Sequence, residues 1–372
     1  MKYEEKKLSE LVDTISDTRK IDKDKVVLVN TSDVLAGEVL NHTYTENCNL
    51  RGQFKKRFKI DDILYSEIRP ANKRFAYIDF DSEDYIASTK LMVLRRKSDK
   101  ITNRYLYYCL TNDYFVDRMQ HLAEARSGTF PQITFDVLKG ETIYLPSIDN
   151  QNKITSILDN INNKIRLNNE INNNLYEVSK QLLLKYLDEN SNSEEVNISE
   201  LLNVFTGKKN ANETSPTGKY KFFSCAPESL LSDTYLYDGA AIIVAGNGAF
   251  TGRTRFYDGK FELYQRTYGL TLKDGFDKDN IYGLYVFMKT IFEPDKMGGT
   301  HGSAIPYIVL SDLTDYKLKY NKTKFDKFSN LVSSNIKMIQ ENEKFNEELS
   351  ELRDTLLPKL MNGEIDLDNI EI

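Results

Sequence analysis

Gln181-Leu182-Leu183-Leu184-Lys185-Tyr186 and Thr355-Leu356-Leu357-Pro358-Lys359-Leu360 stand 174 positions apart in a chain of 372 residues, and their likeness decides the fold. The same offset joins Ile165 to Ile339, Asn168 to Asn342, Leu175 to Leu349 and Val178 to Leu352. Towards the N-terminus the echo continues with a slightly longer offset. Ser127-Gly128-Thr129-Phe130-Pro131-Gln132-Ile133 returns as Gly302-Ser303-Ala304-Ile305-Pro306-Tyr307-Ile308, and Leu8-Ser9-Glu10-Leu11-Val12 returns as Ile198-Ser199-Glu200-Leu201-Leu202. Solenoid repeats have shorter periods and need at least three copies to bury a core. Two long copies indicate a protein that does one thing twice.

Each copy ends in a long amphipathic segment. The first runs from about Gln151 to Asp188 after Pro146, the second from about Phe325 to Met361 after Asn321 to Asp326. At 1.5 Å per residue each helix spans about 55 Å. One heptad frame fits both. Ile161, Asn168, Leu175 and Leu182 recur every seven residues with Ile157, Ile171 and Val178 between them; Asn335, Asn342, Leu349 and Leu356 recur likewise with Leu331, Met338, Phe345 and Leu352. A sustained 3.5-residue repeat with charged outer faces predicts a coiled-coil pair. If a pseudo-twofold relates the halves, the helices run antiparallel and Asn168 meets Asn342, a polar pair that fixes register at a cost in stability.

Before each helix lies a mixed globule. Asp62 to Tyr65 and Thr89 to Leu94 read as strands, and Arg104 to Gln120 as a helix. Ala240 to Val244 reads as a buried strand ending at Gly246-Asn247-Gly248, Tyr257 to Phe261 carries the Asp-Gly signature of a hairpin, and Ile281 to Phe292 echoes the earlier helix. The expected fold class is α+β, two α/β-mixed globules joined by two long helices in an antiparallel, pseudo-twofold coiled coil. The boundaries fall at 1–147, 148–190, 191–321 and 322–372.

Composition supports packed cores, with 40% hydrophobic residues, 23 Tyr and 19 Phe. Cys48, Cys109 and Cys225 are far apart and show no disulfide or zinc spacing. No run of about 18 apolar residues occurs, so a cytoplasmic protein without a membrane segment is expected. The formal net charge of −6 opposes a uniformly basic surface. Its distribution matters more: residues 146–200 carry 5 basic and 9 acidic side chains and residues 322–372 carry 7 and 11, leaving the remainder at +2. Within that remainder Lys55-Lys56-Arg57 with Lys59, Arg69 with Lys73 and Arg74, Lys208-Lys209, and Arg253 with Arg255 form local clusters.

In this order of globule, helix, globule, helix the chain closely resembles the specificity subunit of type I restriction-modification systems. The residues that carry the resemblance are Asp62 to Pro70, Ser127 to Ile133, Leu145-Pro146 entering a helix, and Leu352 to Ile365. The resemblance covers essentially the whole chain. It implies that 1–147 and 191–321 are target recognition domains, each reading half of a split, asymmetric sequence in double-stranded DNA, with 148–190 and 322–372 as helical spacers and docking platform. The implied partners are two modification subunits, which bind S-adenosylmethionine and methylate adenine, and restriction subunits, which use ATP and Mg to translocate and cut DNA. No cofactor is expected on this chain. The stretch from Gly246 to Arg266 shows no evident counterpart in the first copy, as divergent half-sites would require.

Reading a duplex takes phosphate contacts for register and groove contacts for discrimination. In the first copy Lys55, Lys56 and Arg57 suit phosphate, and Arg69, Lys73, Arg74, Arg126, Ser127, Thr129 and Gln132 suit mixed groove and backbone roles. Lys208 and Lys209 suit phosphate in the second, where Asn247, Arg253, Thr254, Arg255, Arg266, His301 and Ser303 are expected nearer the bases. Any single Lys or Arg is more often a solvated surface charge. Gly246 to Gly252 lacks the Gly-Lys-Ser/Thr ending of a phosphate-binding loop, so a hairpin turn is the better reading. Catalytic motifs are missing: His42, His121 and His301 are isolated, and no HExxH, GxSxG or Asp-Pro-Pro-Tyr run occurs. A non-catalytic chain that selects DNA for other subunits is expected. The alternative from another class is a coiled-coil adaptor that binds no DNA.

Overall fold

The computed structural model describes residues 3–126, 128–292 and 306–367. The chain folds as two compact units, residues 1–164 with 348–372, and residues 165–347.

Both units begin alike. A short edge strand, Glu4–Lys7 or Glu195–Asn197, pairs antiparallel with Thr142–Leu145 or Lys317–Lys319. One helical turn follows, Leu8–Leu11 or Ile198–Leu201, whose leucine and isoleucine side chains are buried. A glutamate three residues into each turn accepts from the preceding backbone N–H, Lys7 to Glu10 and Asn197 to Glu200, which satisfies a donor that the helix start would leave orphaned.

A shared sheet forms next. In the first unit its strands lie in the order Val12–Ile15, Leu91–Arg96, Ile63–Ser66, Phe75–Tyr77, all antiparallel. The second unit repeats that order with Leu202–Thr206, Thr267–Leu272, Tyr237–Ala245 and Thr254–Leu263. Beyond this the units part. Tyr220–Phe223 and Leu230–Ser232 extend the second sheet to six strands, whereas the first unit builds a separate four-stranded sheet from Tyr44–Glu46, Lys25–Val29, Tyr85–Ser88 and Phe54–Lys56. Ile63, Leu64 and Tyr65 are all buried, as are Ile242, Ile243 and Val244, because both faces of these central strands are covered.

Helices close one face of each sheet. Tyr105, Leu106, Ile154, Leu158 and Leu360 pack on Tyr65, Met92 and Leu94 in the first unit; Ile281, Leu284, Tyr285, Phe325 and Val332 pack on Ile242, Val244 and Leu270 in the second. Each such fully buried side chain contributes about 1.5–3 kcal/mol. The helix expected over Arg104 to Gln120 is two helices, Asn103–Thr111 and Asp113–Arg126. Asn112 divides them: its amide donates to the carbonyls of Tyr108 and Cys109 and accepts from the N–H of Phe115, ending one helix and starting the next. Asp258-Gly259 is not a turn. Gly259 lies inside a strand opposite Gly239, both with φ near +140°, a conformation that favours glycine.

The long helices are Ile148–Glu189 and Lys322–Met361. Within each unit they pair antiparallel. Ile161 and Asn168 are buried and Leu175, Leu182, Asn342, Leu349 and Leu356 half-buried, so that row faces the seam. The intervening row needs correction. It runs one residue later, through Leu158, Asn172, Ser179 and Tyr186 and through Val332, Ile339, Asn346 and Arg353, while Ile171, Val178, Leu331, Met338, Phe345 and Leu352 are 42–62% exposed. Apolar periodicity points to the wrong row because the true seam carries amides and a hydroxyl at Asn172, Ser179 and Asn346.

The expected Asn168–Asn342 pair is also displaced by one turn. Asn168 donates to Asn346 at 2.7 Å, and Asn342 donates to Asn172 at 2.8 Å. Adding 174 to Asn168 gives Asn342 and subtracting it from Asn346 gives Asn172, so each amide pair is the sequence repeat of the other. Asn335 donates to Ser179 one step along in the same unit. In the first unit Arg353 donates to Asn162. Polar rungs of this kind specify register, because a shifted helix would leave the buried amides unpaired.

Candidate nucleic-acid interface

The strand Ile63–Ser66 and its neighbour Phe75–Tyr77 are joined by a hairpin whose counterpart joins Tyr237–Ala245 to Thr254–Leu263. The two close alike. Ser66 N–H donates to Arg74 O at 2.8 Å and Ala245 N–H donates to Arg253 O at 2.9 Å. At the tip, Asn72 N–H donates to Arg69 O and Thr251 N–H donates to Gly248 O. Seven residues lie between the closing pairs in each case, so the stretch from Gly246 onwards does have a counterpart, residues 67–73. Sequence comparison missed it because the shared property is backbone path, carried by glycines in one hairpin and by charged residues in the other.

A second loop returns against each hairpin. Ile133 N–H donates to Glu67 O and Arg69 N–H to Pro131 O; in the second unit Ile308 N–H donates to Gly246 O and Gly248 N–H to Pro306 O. The echo of Phe130-Pro131-Gln132-Ile133 in Ile305-Pro306-Tyr307-Ile308 is thus the sequence trace of a joint between two loops. A third strand contributes as well, because Glu67 N–H donates to Lys90 O and Gly246 N–H donates to Arg266 O. Lys90 and Arg266 therefore place a cation at one position of both joints. Lys90, unlike Arg266, is not among the contacts expected from sequence; the strand pairing is what makes it the equivalent of Arg266. Its ammonium reaches Gln132 Oε1 at 3.3 Å and Glu67 at 3.5 Å.

The hairpins differ at their left-handed positions. Gly248 and Gly252 have φ of 86° and 85°, while Arg69 and Lys73 occupy the same two places with φ of 44° and 51°. A side chain in that region costs about 1–2 kcal/mol. Arg69 also precedes Pro70, which disfavours helical backbone. Lys73 is tied down by Asp113 at 2.6 Å, whereas the exposed Arg69 guanidinium has no partner among the described residues.

Other expected contacts divide into free and engaged groups. Lys55, Thr129, Lys208 and Arg266 are exposed. Arg57 is half-buried, and its backbone N–H donates to Asp17 O. Lys56 is engaged: its ammonium donates to Thr89 O and Leu91 O, and desolvation lowers its pKa. Arg74 holds Ser32 O and Val34 O, and Arg126 reaches Thr134 Oγ1 at 3.4 Å. Lys209 spans Ser232, Thr234 and the buried Glu262, which makes it part of the fold. Thr254 is buried and donates to Gly252 O. Asn247 accepts from Cys225 Sγ at 3.1 Å, and Arg253 lies 4.5 Å from the Phe250 ring centroid. Arg255 donates to Ser224 O and Pro227 O over the Phe223 ring; burial, then the neighbouring Arg253, pushes its pKa down to about 10. Ser127, His301 and Ser303 lie outside the described residues.

No described helix is long and apolar enough to cross a membrane. Among the described residues no group of three or more His, Cys, Asp or Glu side chains could hold a metal ion.

The joint on each unit is one backbone scaffold carrying different side chains. The chain is 39% identical over 157 residues to the HindI specificity subunit of Haemophilus influenzae, a match covering 42% of this chain and 34% of that protein. To the Escherichia coli EcoDI specificity subunit it is 36% identical over 123 residues, 32% of this chain and 26% of the relative. These matches span about a third and a quarter of the relatives' lengths. The fold resembles the crystal structure of a type I restriction-modification S subunit from M. genitalium, with a TM-score of 0.60, 16% identity, and coverage of 97% of this chain and 96% of that one. Residues 1–177 and 190–344 each match the Type I restriction modification DNA specificity domain, and the chain belongs to that family.

Proposed function

We propose that this chain is the DNA-recognition subunit of a type I restriction-modification complex, each unit reading one half of a bipartite, asymmetric site in double-stranded DNA. The observation that carries the reading is the pair of joints, which share their closing, tip and bracing backbone bonds and differ in the side chains they display. Lys90 and Arg266, common to both, suit phosphate contacts that set register; exposed loop side chains that the fold leaves free, such as Arg69, suit base edges. Such binding weakens steeply with salt as phosphate counterions are recovered.

The chain itself is non-catalytic in this proposal and acts in the cytoplasm. Two modification subunits carrying S-adenosylmethionine methylate adenine, and restriction subunits using ATP and Mg cleave DNA. Holding and bending the duplex around each half-site lowers the cost of unstacking the target adenine. The long helices offer the partners an outward apolar row in both copies, Ile171 and Val178 repeating as Phe345 and Leu352, all exposed. Exposed apolar rows on a helix suit a protein partner. Replacing both Ile171 and Phe345 by Asp should abolish co-purification with the modification subunits while leaving the isolated chain's melting unchanged; undiminished co-purification would move the docking surface elsewhere.

Methylome sequencing of cells with and without the chain tests the function. Loss of one bipartite adenine-methylation motif is the expected result. An unchanged methylome, with salt-insensitive or undetectable DNA binding when partners are present, would favour the coiled-coil adaptor.

A further inference from the structure

We infer that Arg69 is a base-reading residue of the first unit and that it reads a guanine in its half-site. The inference rests on the proposed DNA-reading function and adds to it the residue and the base.

Arg69 combines three observations. Its backbone is held in the left-handed region before a proline, where glycine would sit without strain, as Gly248 does at the same place in the second unit. Every bond that holds it is made by backbone: its N–H donates to Pro131 O, its carbonyl accepts from Asn72 N–H, and Glu67 O, two residues earlier, accepts from Ile133 N–H. Its side chain meanwhile is exposed and contributes nothing to the fold, with no hydrogen bond, ion pair or ring contact among the described residues. Strain persists where the surrounding structure over-determines it, and the sound inference runs from such an outlier to function. A group needed only as a loose positive charge does not require a locked backbone. A planar fork that must meet a base edge does, and Arg pairs bidentately with guanine O6 and N7 more often than with any other base.

The second unit supplies the control. Cations common to both joints, Lys90 and Arg266, serve what both units do alike, which is to hold phosphate. Arg69 has no counterpart there, because Gly248 presents no side chain and open space surrounds the position its Cβ would take. What differs between the joints serves what differs between the half-sites.

The test uses the full chain assembled with its modification subunits. The motif methylated by the wild-type complex is read first; absence of any bipartite motif would overturn the DNA-reading proposal, and this inference with it. With a motif in hand, Arg69→Ala keeps the left-handed strain but removes the guanidinium, and is expected to relax one G·C position in one half-site by at least tenfold in methylation rate ratio, the other half unchanged. Arg69→Gly should relax the same position with an unchanged or raised melting temperature, which excludes misfolding as the cause. Gly248→Arg should alter the opposite half-site only. Unchanged base preference in Arg69→Ala and Arg69→Gly, or a uniform loss across sequences with a shallower salt slope, would overturn the inference and leave Arg69 a phosphate contact or a bystander.

Discussion

The hairpin ending at Arg74 and the hairpin ending at Arg253 are closed, tipped and braced by matching backbone hydrogen bonds, yet one is built with Arg69 and Lys73 where the other has Gly248 and Gly252. The difference separates two demands on a duplicated protein. Shared backbone bonds keep the joint where DNA is proposed to be met, and side chains free of those bonds would vary what is read there. The helices reverse the pattern: Ile171 and Val178 repeat as Phe345 and Leu352, and the Asn168–Asn346 and Asn172–Asn342 rungs repeat each other, as the proposed meeting with one kind of partner twice would require.

The largest effect should come from a pair that only the first unit has. Asp62 is fully buried and takes two hydrogen bonds from Arg95 at 2.6 and 2.7 Å, while the second unit has Ala241 and Thr271 at the corresponding ladder positions. Arg95→Ala should destabilise the first unit by about 3 kcal/mol, because it leaves a buried carboxylate without its counter-ion and with only the Lys59 N–H at 2.9 Å to hold it. Transplanting the second unit's solution, Asp62→Ala with Arg95→Thr, should restore stability to within about 1 kcal/mol. Urea unfolding checks both, and a double variant as unstable as Arg95→Ala would break the correspondence of the two sheets.

A smaller effect is expected where the joints differ in crowding. A Cβ on Gly246 would sit 2.4 Å from Arg266 O and 2.7 Å from the Tyr268 ring, so Gly246→Ala should cost about 1–3 kcal/mol. Its counterpart Glu67 makes only a 3.5 Å contact with Lys90, and Glu67→Ala should change stability by no more than about 0.5 kcal/mol. Equal effects at the two positions would mean that the joints are packed alike.

The smallest pair has opposite signs. Arg69→Gly relieves a left-handed backbone and should raise unfolding free energy by about 1 kcal/mol; Gly248→Ala introduces the same strain into open space and should lower it by about the same amount. Shifts of one sign in calorimetry would show that the two tips do not share a conformation.

Much of this architecture is legible in the chain. The 174-residue repeat announces two units and two long helices, and the apolar runs at Ile63 to Tyr65 and Ala240 to Val244 announce the central strands. What escapes is information held in pairing instead of pattern. The apolar pattern sets the seam one residue early because Asn172, Ser179, Asn346 and Arg353 are polar residues whose partners lie on the other helix. Asp258-Gly259 looks like a turn because local chemistry cannot reveal that Gly239 lies opposite. Among the expected DNA contacts, Lys56, Arg74, Lys209 and Thr254 are occupied by the fold, a fact visible only when Thr89, Ser32, Glu262 and Gly252 are found beside them. The matching of Arg69 with Gly248 required the hydrogen bonds that align the two tips.

One reader for each half-site is the central claim, and exchange of a reader tests it most directly. Residues 1–145 would be replaced by the corresponding segment of a relative with a known, different motif, and the methylated sequence read from the methylome. A motif changed in one half, with the other half and its methylated adenine intact, is the predicted result. Changes in both halves, or an unchanged motif from an assembled and active complex, would contradict it.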